Sequence, residues 1–276
     1  MTHLVVMAAG LGSRFGGDKQ LVDVGPNGEA FLDYGIRGAV AAGVTDVVVI
    51  VRSEIEATLR EHLAQHHGPE VNIEFVLQDQ HGPDRAKPWG TAHAVLTAAP
   101  LVTGRFLVVN ADDYYGDDSY QQGFDALAAA DDDEAIIVAF RLENTLPPAG
   151  SVSRGVCAAD ADGFLTELVE THGIERGEDG VIRSTDPEGE HPGDTLVSMN
   201  MMAFPSWLMT ELESGFETFL AEHGDEPKTE FLLPDVVAKL QSEGRLKVRV
   251  VETAEQWIGV TNPDDLEPAR EALANK

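Results

Sequence analysis

Short runs of apolar residues alternate with amphipathic segments through the first half of the chain. The runs are rich in valine, isoleucine and leucine, as in "LVVM" and "DVVVIV", and this pattern predicts buried strands. The segments between them carry apolar residues at helical spacing. The predicted strands are His3–Ala8, Asp46–Val51, Asn72–Leu77, Arg105–Asn110 and Ala135–Phe140, and the predicted helices are Phe31–Ala42, Ser53–His66, Thr91–Ala98 and Ser119–Ala130.

The alternation of strands and helices indicates the fold class. Near-continuous apolar strands suit parallel strands that are covered on both faces. We therefore expect an α/β, Rossmann-like sandwich with a mixed, mostly parallel central sheet. Ser53 and Glu56 have the spacing of a capping box and predict the start of the second helix. The His66–His67 pair ends that helix, where we expect it to interact with the helix dipole rather than to bind a metal.

The pattern changes after Leu142. The stretch "SVSRGVCAADADGFLTELVE" predicts two strands joined by the turn "DADG". Residues 172–194 are rich in glycine, glutamate, aspartate and proline, and they predict an exposed, flexible insertion. Beyond this insertion we expect a strand in "TLVSMNMMAF", helices at Ser206–Glu222 and Glu230–Glu243, a strand in "LKVRVVE" and a last helix from Pro263.

Charge and cysteine content narrow the choice of partners and compartment. The chain has 276 residues, with 19 lysines and arginines against 48 acidic residues, a formal net charge of −29. Such a surface repels nucleic-acid phosphates and anionic lipids, so we expect neither nucleic acid nor a membrane as a partner. The single cysteine, Cys157, excludes an internal disulfide and fits a reducing cytoplasm. The oligomeric state is left open, a homo-oligomer included.

A glycine-rich loop with two cations follows the first predicted strand, in the stretch "MAAGLGSRFGGDKQL". Glycines such as Gly10 and Gly12 let backbone N–H groups approach a phosphate closely, and Arg14 and Lys19 add positive charge at fixed offsets. The alternative is a mobile turn with two solvated cations. A dinucleotide-binding oxidoreductase is disfavoured, because the second predicted strand is followed by Arg52 where that fold places an acidic residue.

This loop resembles the signature of the nucleotidyltransferases that activate sugar 1-phosphates, the pyrophosphorylase superfamily. The resemblance continues through "PWGTAHAV", "VVNADDYYG", "SRGVCAADADGFLTELVE", "SMNMMAF" and "EFLLPDVV". It implies a GT-A-like nucleotidyltransferase fold with a small β insertion for the acceptor. It also implies one domain over residues 1–276, with a nucleotide-binding part at 1–141 and an acceptor-binding part at 142–276.

The resemblance assigns roles to individual residues. It implies catalytic roles for Arg14, Lys19 and Asp112. It implies nucleotide binding by Ala9, Gly10, Leu11, Gly12, Ser13, Gln78, Gly90 and Thr91, and acceptor binding by Gly155, Glu170 and Asn200. A lysine often follows the acceptor glutamate in the family, whereas Thr171 and His172 stand here.

A divalent cation, Mg²⁺, is the expected cofactor. Asp112 follows the strand "FLVVN" and offers the carboxylate oxygens that Mg²⁺ prefers; alternatively, Asp112 and Asp113 cap the turn before Tyr114. Many relatives carry a second metal-binding aspartate in a W-x-D-x-G pattern, but Gly259 occupies that position. The remaining candidates for the second ligand are Thr261 and Asn262, of which Asn262 is also a suitable helix N-cap.

The expected reaction joins a nucleoside triphosphate to a sugar 1-phosphate, or a similar phosphomonoester, with release of pyrophosphate. The segments around Gln78 and Thr91 look most like those of uridylyltransferases, which favours UTP or dTTP. Two alternatives stay open. One is a catalytically inactive regulatory protein that binds a nucleotide sugar, and the other is a cytidylyltransferase that acts on a non-sugar phosphomonoester.

Overall fold

The computed structural model describes residues 1–10, 19–147, 149–260, 265–274 and 276, with the backbone alone for Lys19. The elements of the first half agree with the sequence prediction to within one residue at each end. The strands are β1 (Thr2–Met7), β2 (Asp46–Val51), β3 (Asn72–Leu77), β4 (Arg105–Asn110), β5 (Asp113–Tyr114) and β6 (Glu134–Arg141). The helices are α1 (Phe31–Ala41), α2 (Ser53–His66), α3 (Thr91–Thr97) and α4 (Asp118–Ala129).

The second half contributes more strands than helices. Its strands are β7 (Val152–Ala159), β8 (Leu165–Arg176), β9 (Ile182–Thr185), β10 (Glu188–His191), β11 (Leu196–Phe204), β12 (Lys247–Thr253) and β13 (Ile258–Gly259). Its helices are α5 (Leu208–His223), α6 (Leu233–Ser242) and α7 (Leu266–Leu273). The predicted turn "DADG" does join β7 to β8, and the Asp160 carboxylate accepts the N–H groups of Asp162 and Phe164 there.

Eleven strands of the described chain form one mixed sheet in which β3, β2, β1 and β4 lie side by side and run parallel. β11 runs antiparallel to β4 and to β6, and β12 pairs in parallel with β6. This arrangement confirms the α/β prediction of a mixed, mostly parallel central sheet. Outside the central strands, β7 to β10 extend the sheet as an antiparallel meander that starts from β11.

Helices cover both faces of the central sheet. Because side chains alternate across a strand, Leu4 and Val6 of β1 belong to one core and Val5 to the other. The first core includes the buried sides of α1, α2 and α4, and the second includes those of α3, α5 and α6. Among the helices of the described residues, none is sufficiently long and apolar to span a bilayer.

Residues 172–194 differ from their prediction. They are largely exposed, as expected, but they are regular: the end of β8, then β9 and β10, pair antiparallel as a meander. Ile182 and Ser184 point to the buried side of β9, while Arg183 and Thr185 are exposed. The polar composition masked this alternation, because only one of the two inward positions is apolar.

The start of α2 also differs from its prediction. Ser53 is the first helical residue, and the extended Arg52 takes the N-cap position, so the capping box of Ser53 with Glu56 does not form. Instead, the N–H group of Ser53 donates to the Asp79 carboxylate at 2.9 Å. The cap thus comes from a turn that follows β3, which no local spacing in the sequence could indicate.

This cap leads to a stability test. Asp79→Ala should lower the free energy of unfolding by about 1 kcal/mol, because the first turn of α2 loses its acceptor and a favourable negative charge. Ser53→Ala is the control, since its exposed hydroxyl only receives the Gln80 amide at 3.2 Å. That variant should change stability by less than about 0.5 kcal/mol. Urea denaturation measures both, and equal losses would contradict the assignment.

Candidate active site

The carboxyl ends of β1 and β4 meet at one edge of the sheet. The two strands are parallel neighbours, with Met7 opposite Asn110, and the Ala111 N–H group donates to the Met7 carbonyl at 3.1 Å. Ala9 and Asp112 therefore follow their strands side by side. In open α/β sheets, ligands collect at this edge.

The beginning of the glycine loop lies at this edge. Ala9 is buried, whereas Gly10 is exposed and its carbonyl accepts the Gln20 side-chain amide at 2.8 Å. Gln20 is itself buried and ties the far end of the loop to its beginning. The other predicted phosphate-binding residues, Leu11, Gly12, Ser13 and Arg14, lie outside the described residues, as does the side chain of Lys19.

Two consecutive aspartates follow β4 and differ in their surroundings. Asp112 is half-buried at the edge of the sheet. Asp113 is 8% exposed, and its Oδ2 accepts the side-chain amide of Asn110 at 2.8 Å. One Asp113 oxygen thus helps to hold the turn, and Asp112 is the more exposed of the two aspartates.

The hydroxyl of Tyr115 joins this turn to the second half of the chain. Tyr115 is fully buried, and its oxygen receives the N–H group of Asn110 at 3.1 Å. The hydroxyl donates toward the carbonyl of Met199 at 3.0 Å and lies 3.2 Å from Asp113 Oδ2. Burial raises the pKa of Tyr115 further above its usual value, so the hydroxyl stays protonated. The motifs do not single out Tyr115; its position directly after two aspartates and another tyrosine is its only signal in the sequence.

The strand β13 brings the candidates for the second metal ligand to the same turn. Gly259 pairs with Asp113, and Ile258 pairs with Tyr114. A Cβ atom at Gly259 would overlap the ring of Trp257 and lie 3.0 Å from Asp113 Oδ1. An aspartate at this position would require the Trp257 side chain to shift. Thr261 and Asn262 follow directly in sequence but lie outside the described residues.

The residues at this turn fit a hard divalent cation. Mg²⁺ prefers carboxylate oxygens and commonly uses only one or two of them, with water and phosphate completing its shell. Asp112 supplies such a carboxylate at the ligand edge, beside the turn that Asp113 and Tyr115 hold. Position 259 offers no carboxylate because it is a glycine, and the predicted second ligands, Thr261 and Asn262, follow β13 in sequence.

On the other side of β1, the structure brings together Gln78, Gly90 and His93. Gln78 is buried, and its side-chain NH₂ group donates to the Gly90 carbonyl at 3.2 Å and lies 3.3 Å from His93 Nδ1. His93 is 1% exposed, and burial together with the nearby His81 lowers its pKa to about 4, so it is neutral. His93 is thus a structural partner of Gln78, which agrees with its position inside α3.

The segment around Gly90 is fixed by the stretch before α6. Gly90 has φ +113°, and a Cβ atom there would overlap the carbonyl of Phe231. The Phe231 N–H group donates to the Trp89 carbonyl at 2.7 Å, and the Leu233 N–H group donates to the Thr91 hydroxyl at 3.0 Å. Thr91 therefore uses its side chain to cap α6. A cavity of about 580 Å³ lies next to Gln78 under the loop that precedes Gly90.

The three predicted acceptor residues lie on three neighbouring strands. Gly155 of β7 pairs with Glu170 of β8 on one side and with Ser198 of β11 on the other. Glu170 is exposed. Asn200 is exposed within an irregularity of β11 and has φ +63°, a left-handed conformation that asparagine adopts more readily than most residues. Because β11 runs antiparallel to β4, with Met202 opposite Val108, Asn200 lies near the end of β4 that leads to Asp112.

The structure also buries a guanidinium that the sequence does not single out. Arg154 is 9% exposed; it donates to the hydroxyl and the carbonyl of Thr145 and lies 4.9 Å from the centre of the Trp257 ring. Burial lowers the pKa of Arg154 to about 10, against the opposing effect of the negative charges of Asp113 and Glu170. The positive charge of Arg154 thus interacts with both the predicted metal turn and the predicted acceptor glutamate.

Comparison with known proteins identifies the family. Residues 4–193 match the MobA-like NTP transferase domain. The chain belongs to this family. The match confirms the resemblance to sugar-1-phosphate nucleotidyltransferases that the motifs indicated, and it includes the glycine loop, the Asp112 turn and the β7–β8 pair.

Curated relatives of this NTP transferase domain include two that carry the name bifunctional protein GlmU. That of Methylibium petroleiphilum is 26% identical over 282 residues, covering 100% of this chain and 54% of the relative. That of Corynebacterium efficiens is 24% identical over 272 residues, covering 94% of this chain and 48% of the relative. The chain spans about half the length of these curated relatives.

Solved structures share the fold. A structure from Bacillus anthracis, described as a glucose-1-phosphate thymidylyltransferase in complex with sucrose, has a TM-score of 0.69 at 15% identity and covers 100% of this chain and 96% of its own. The inositol-1-phosphate CTP transferase from T. maritima has a TM-score of 0.65 at 14% identity, with 99% and 97% covered. Both likenesses confirm the GT-A-like nucleotidyltransferase fold.

The Tyr115 junction can be tested by removing one oxygen atom. Tyr115→Phe should lower the free energy of unfolding by about 1–3 kcal/mol, because the Asn110 N–H and Met199 carbonyl groups lose a buried partner. Tyr120→Phe is a matched control: this tyrosine is 2% exposed, and its hydroxyl makes no hydrogen bond within the described chain. Thermal or urea unfolding compares the two variants. If Tyr120→Phe is as destabilising as Tyr115→Phe, the hydroxyl contacts of Tyr115 do not hold the site together.

Proposed function

We propose that this NTP transferase domain is an enzyme that joins a nucleoside triphosphate to a sugar 1-phosphate, with release of pyrophosphate. The observation that carries this proposal is the convergence at the sheet edge. The start of the glycine loop, the Asp112 turn and the acceptor strands with Gly155, Glu170 and Asn200 open on the same edge. A triphosphate and a phosphorylated hydroxyl compound need such neighbouring sites.

The proposed mechanism needs no protein nucleophile. An oxygen of the acceptor phosphate attacks the α-phosphorus in line, and the bond to the pyrophosphate oxygen breaks. Arg14 and the loop N–H groups hold the departing pyrophosphate, and Lys19 contacts the α-phosphate and the acceptor phosphate. Asp112 holds the cation, with Thr261 or Asn262 as a further ligand directly or through water. Mg²⁺, when bound, supplies charge stabilisation to the phosphate oxygens.

The alignment of the two substrates supplies much of the expected catalysis. Holding two reactants in a reactive geometry can lower the activation barrier by about 7–11 kcal/mol relative to their encounter in solution. The acceptor side supplies part of this alignment: the Glu170 carboxylate accepts hydrogen bonds from acceptor hydroxyls, the Asn200 amide both donates and accepts, and the absence of a side chain at Gly155 lets the acceptor approach the strand. The buried charge of Arg154 stabilises negative charge nearby.

We further propose that the preferred base is uracil or thymine. Gln78 and the backbone at Gly90 and Thr91 would recognise the base edge, and the segments that carry them resemble those of uridylyltransferases. The structural neighbour from T. maritima is an inositol-1-phosphate CTP transferase, so cytidylyl transfer to a non-sugar phosphomonoester is the second candidate. The proposed location is the cytoplasm, in line with the half-buried Cys157, whose burial raises its pKa to about 12 and keeps the thiol unreactive.

A pyrophosphate-release screen tests the reaction and its specificity together. The four ribonucleoside triphosphates and dTTP are each combined with a panel of sugar 1-phosphates, inositol 1-phosphate and phosphocholine. We expect release with UTP or dTTP and a sugar 1-phosphate. A preference for CTP with a non-sugar acceptor would support the second candidate. Binding of a nucleotide sugar without release for any pair would instead indicate a regulatory protein.

The metal assignment is tested with two neighbouring variants. Asp112→Asn keeps the shape of the side chain but removes the charge, and it should lower kcat/KM by about 100-fold, equivalent to about 3 kcal/mol. Asp113→Asn removes a charge from the same turn, yet an amide oxygen can still accept the Asn110 hydrogen bond, so a much smaller loss is expected. Steady-state kinetics with and without EDTA measure both effects. Full activity in EDTA, or of Asp112→Asn, would show that Asp112 holds no essential metal.

A further inference from the structure

A second group of metal-ligating side chains lies between α1 and α2, apart from the residues predicted to bind nucleotide or acceptor. It consists of Asp33 on α1, His62 and His66 on α2, and His67 directly after α2. The sequence predicted that the His66–His67 pair interacts with the helix dipole. In the structure, His67 instead contacts the Asp33 carboxylate.

The geometry of this group is compact. Asp33 is fully buried, and its Oδ2 lies 2.6 Å from His62 Nε2 while its Oδ1 lies 2.8 Å from His67 Nε2. His62 and His66 are one helical turn apart, and their ring centres are 4.4 Å apart. One ligand atom from each of Asp33, His62 and His66 lies within 4.8 Å of the other two.

The contacts of Asp33 suit a ligand. Besides the two imidazoles, its carboxylate accepts the Ala30 N–H group at 2.8 Å. The cap of α1 uses only the contact of Asp33 with Ala30. The contacts of this buried carboxylate with two imidazoles, His62 on α2 and His67 directly after it, are not needed for that cap.

We propose that Asp33, His62 and His66 bind a transition-metal cation of the Zn²⁺ type, and that His67 orients the carboxylate through its other oxygen. Two imidazoles and one carboxylate are a usual donor set for Zn²⁺, with water in the fourth position. Imidazole nitrogen is a poor ligand for Mg²⁺, so this site differs chemically from the proposed catalytic one.

The site needs only a small adjustment to admit the cation. Zn²⁺ holds nitrogen and oxygen ligands at about 2.0–2.2 Å, which places tetrahedral ligands about 3.3 Å apart. The close contact of His62 with Asp33 must therefore open by less than about 1 Å, as the cation replaces the shared proton. His62 and His66 are half-buried, so neither ring is fully enclosed by the core. His67 would keep its contact with Asp33 Oδ1 and so hold the carboxylate in the orientation that binds the cation.

A bound cation would cross-link α1 to α2. α1 follows the segment that leads from the glycine loop, and Asp33 holds the first turn of α1 through Ala30. The cation would thus fix the entry of this segment into α1 and stabilise the nucleotide-binding half without taking part in the reaction.

Metal binding to the intact, tag-free chain tests this proposal. The protein is treated with a chelator, dialysed and titrated with Co²⁺, whose d–d absorption reports a site of low symmetry with nitrogen ligands. We expect one Co²⁺ per chain, displacement by Zn²⁺ and no displacement by excess Mg²⁺. Saturating Zn²⁺ should raise Tm by about 5 °C. Absence of the Co²⁺ spectrum and of any Tm shift would show that the cluster is only a hydrogen-bonded link between the helices.

Variants separate the site from nonspecific binding. His66→Ala is the informative change, because His66 makes no hydrogen bond within the described residues and its loss should leave the fold intact. It should weaken Co²⁺ binding by at least about 100-fold, and His67→Ala by about 10-fold. His223→Ala, at the end of α5, is the control and should bind like the wild type. Equal binding by His66→Ala and wild type would overturn the proposal, whereas pyrophosphate release with Mg²⁺ does not bear on it.

Discussion

The parallel pairing of β1 with β4 is the constraint on which the rest of the site depends. Both strands are buried on both faces, so their register is set by two cores at once, and Met7 lies opposite Asn110. A slip of the register by one residue would exchange the two cores. This pairing places the glycine loop and the Asp112 turn at one edge, where any phosphate ligand must meet both.

β11 then couples this edge to the acceptor strands. Its second half pairs with β4 and β6, and its first half pairs with β6 and β7. This one strand therefore joins the central parallel strands to the antiparallel meander. The irregularity around Asn200 separates these two halves, and the hydroxyl of Tyr115 satisfies the Met199 carbonyl there. A buried polar group would otherwise lack a partner at the place where the two substrates are proposed to meet.

The negative charge of the chain limits where a phosphate ligand can bind. The chain carries a net charge of −29, which disfavours a polyphosphate ligand at most of its surface. Binding of a phosphate therefore requires local positive charge. One buried positive charge near this edge is the guanidinium of Arg154, which lies beside the ring of Trp257. Elsewhere, cations are used structurally: Lys87 pairs with Glu230, and Arg85 lies 4.3 Å from the centre of the Trp89 ring. The Lys87–Glu230 pair links the loop before α3 to the segment before α6, whereas the contact of Arg85 with Trp89 lies within that loop.

Apolar periodicity is local, so the longer strands and the helices of the first half, the class of fold and the residues that follow β1, β3 and β4 could be predicted from the sequence. The motifs also indicated the family. The folded structure was needed to show that Asp79 caps α2, that residues 172–194 form strands, and that Gln78 contacts His93. It was also needed to show that Arg154 is buried and that Asp33 contacts His62 and His67. The physical reason is that each of these contacts joins residues distant in sequence. Which polar groups meet depends on the order of strands and the crossing of helices, and neither is encoded in the spacing of one segment.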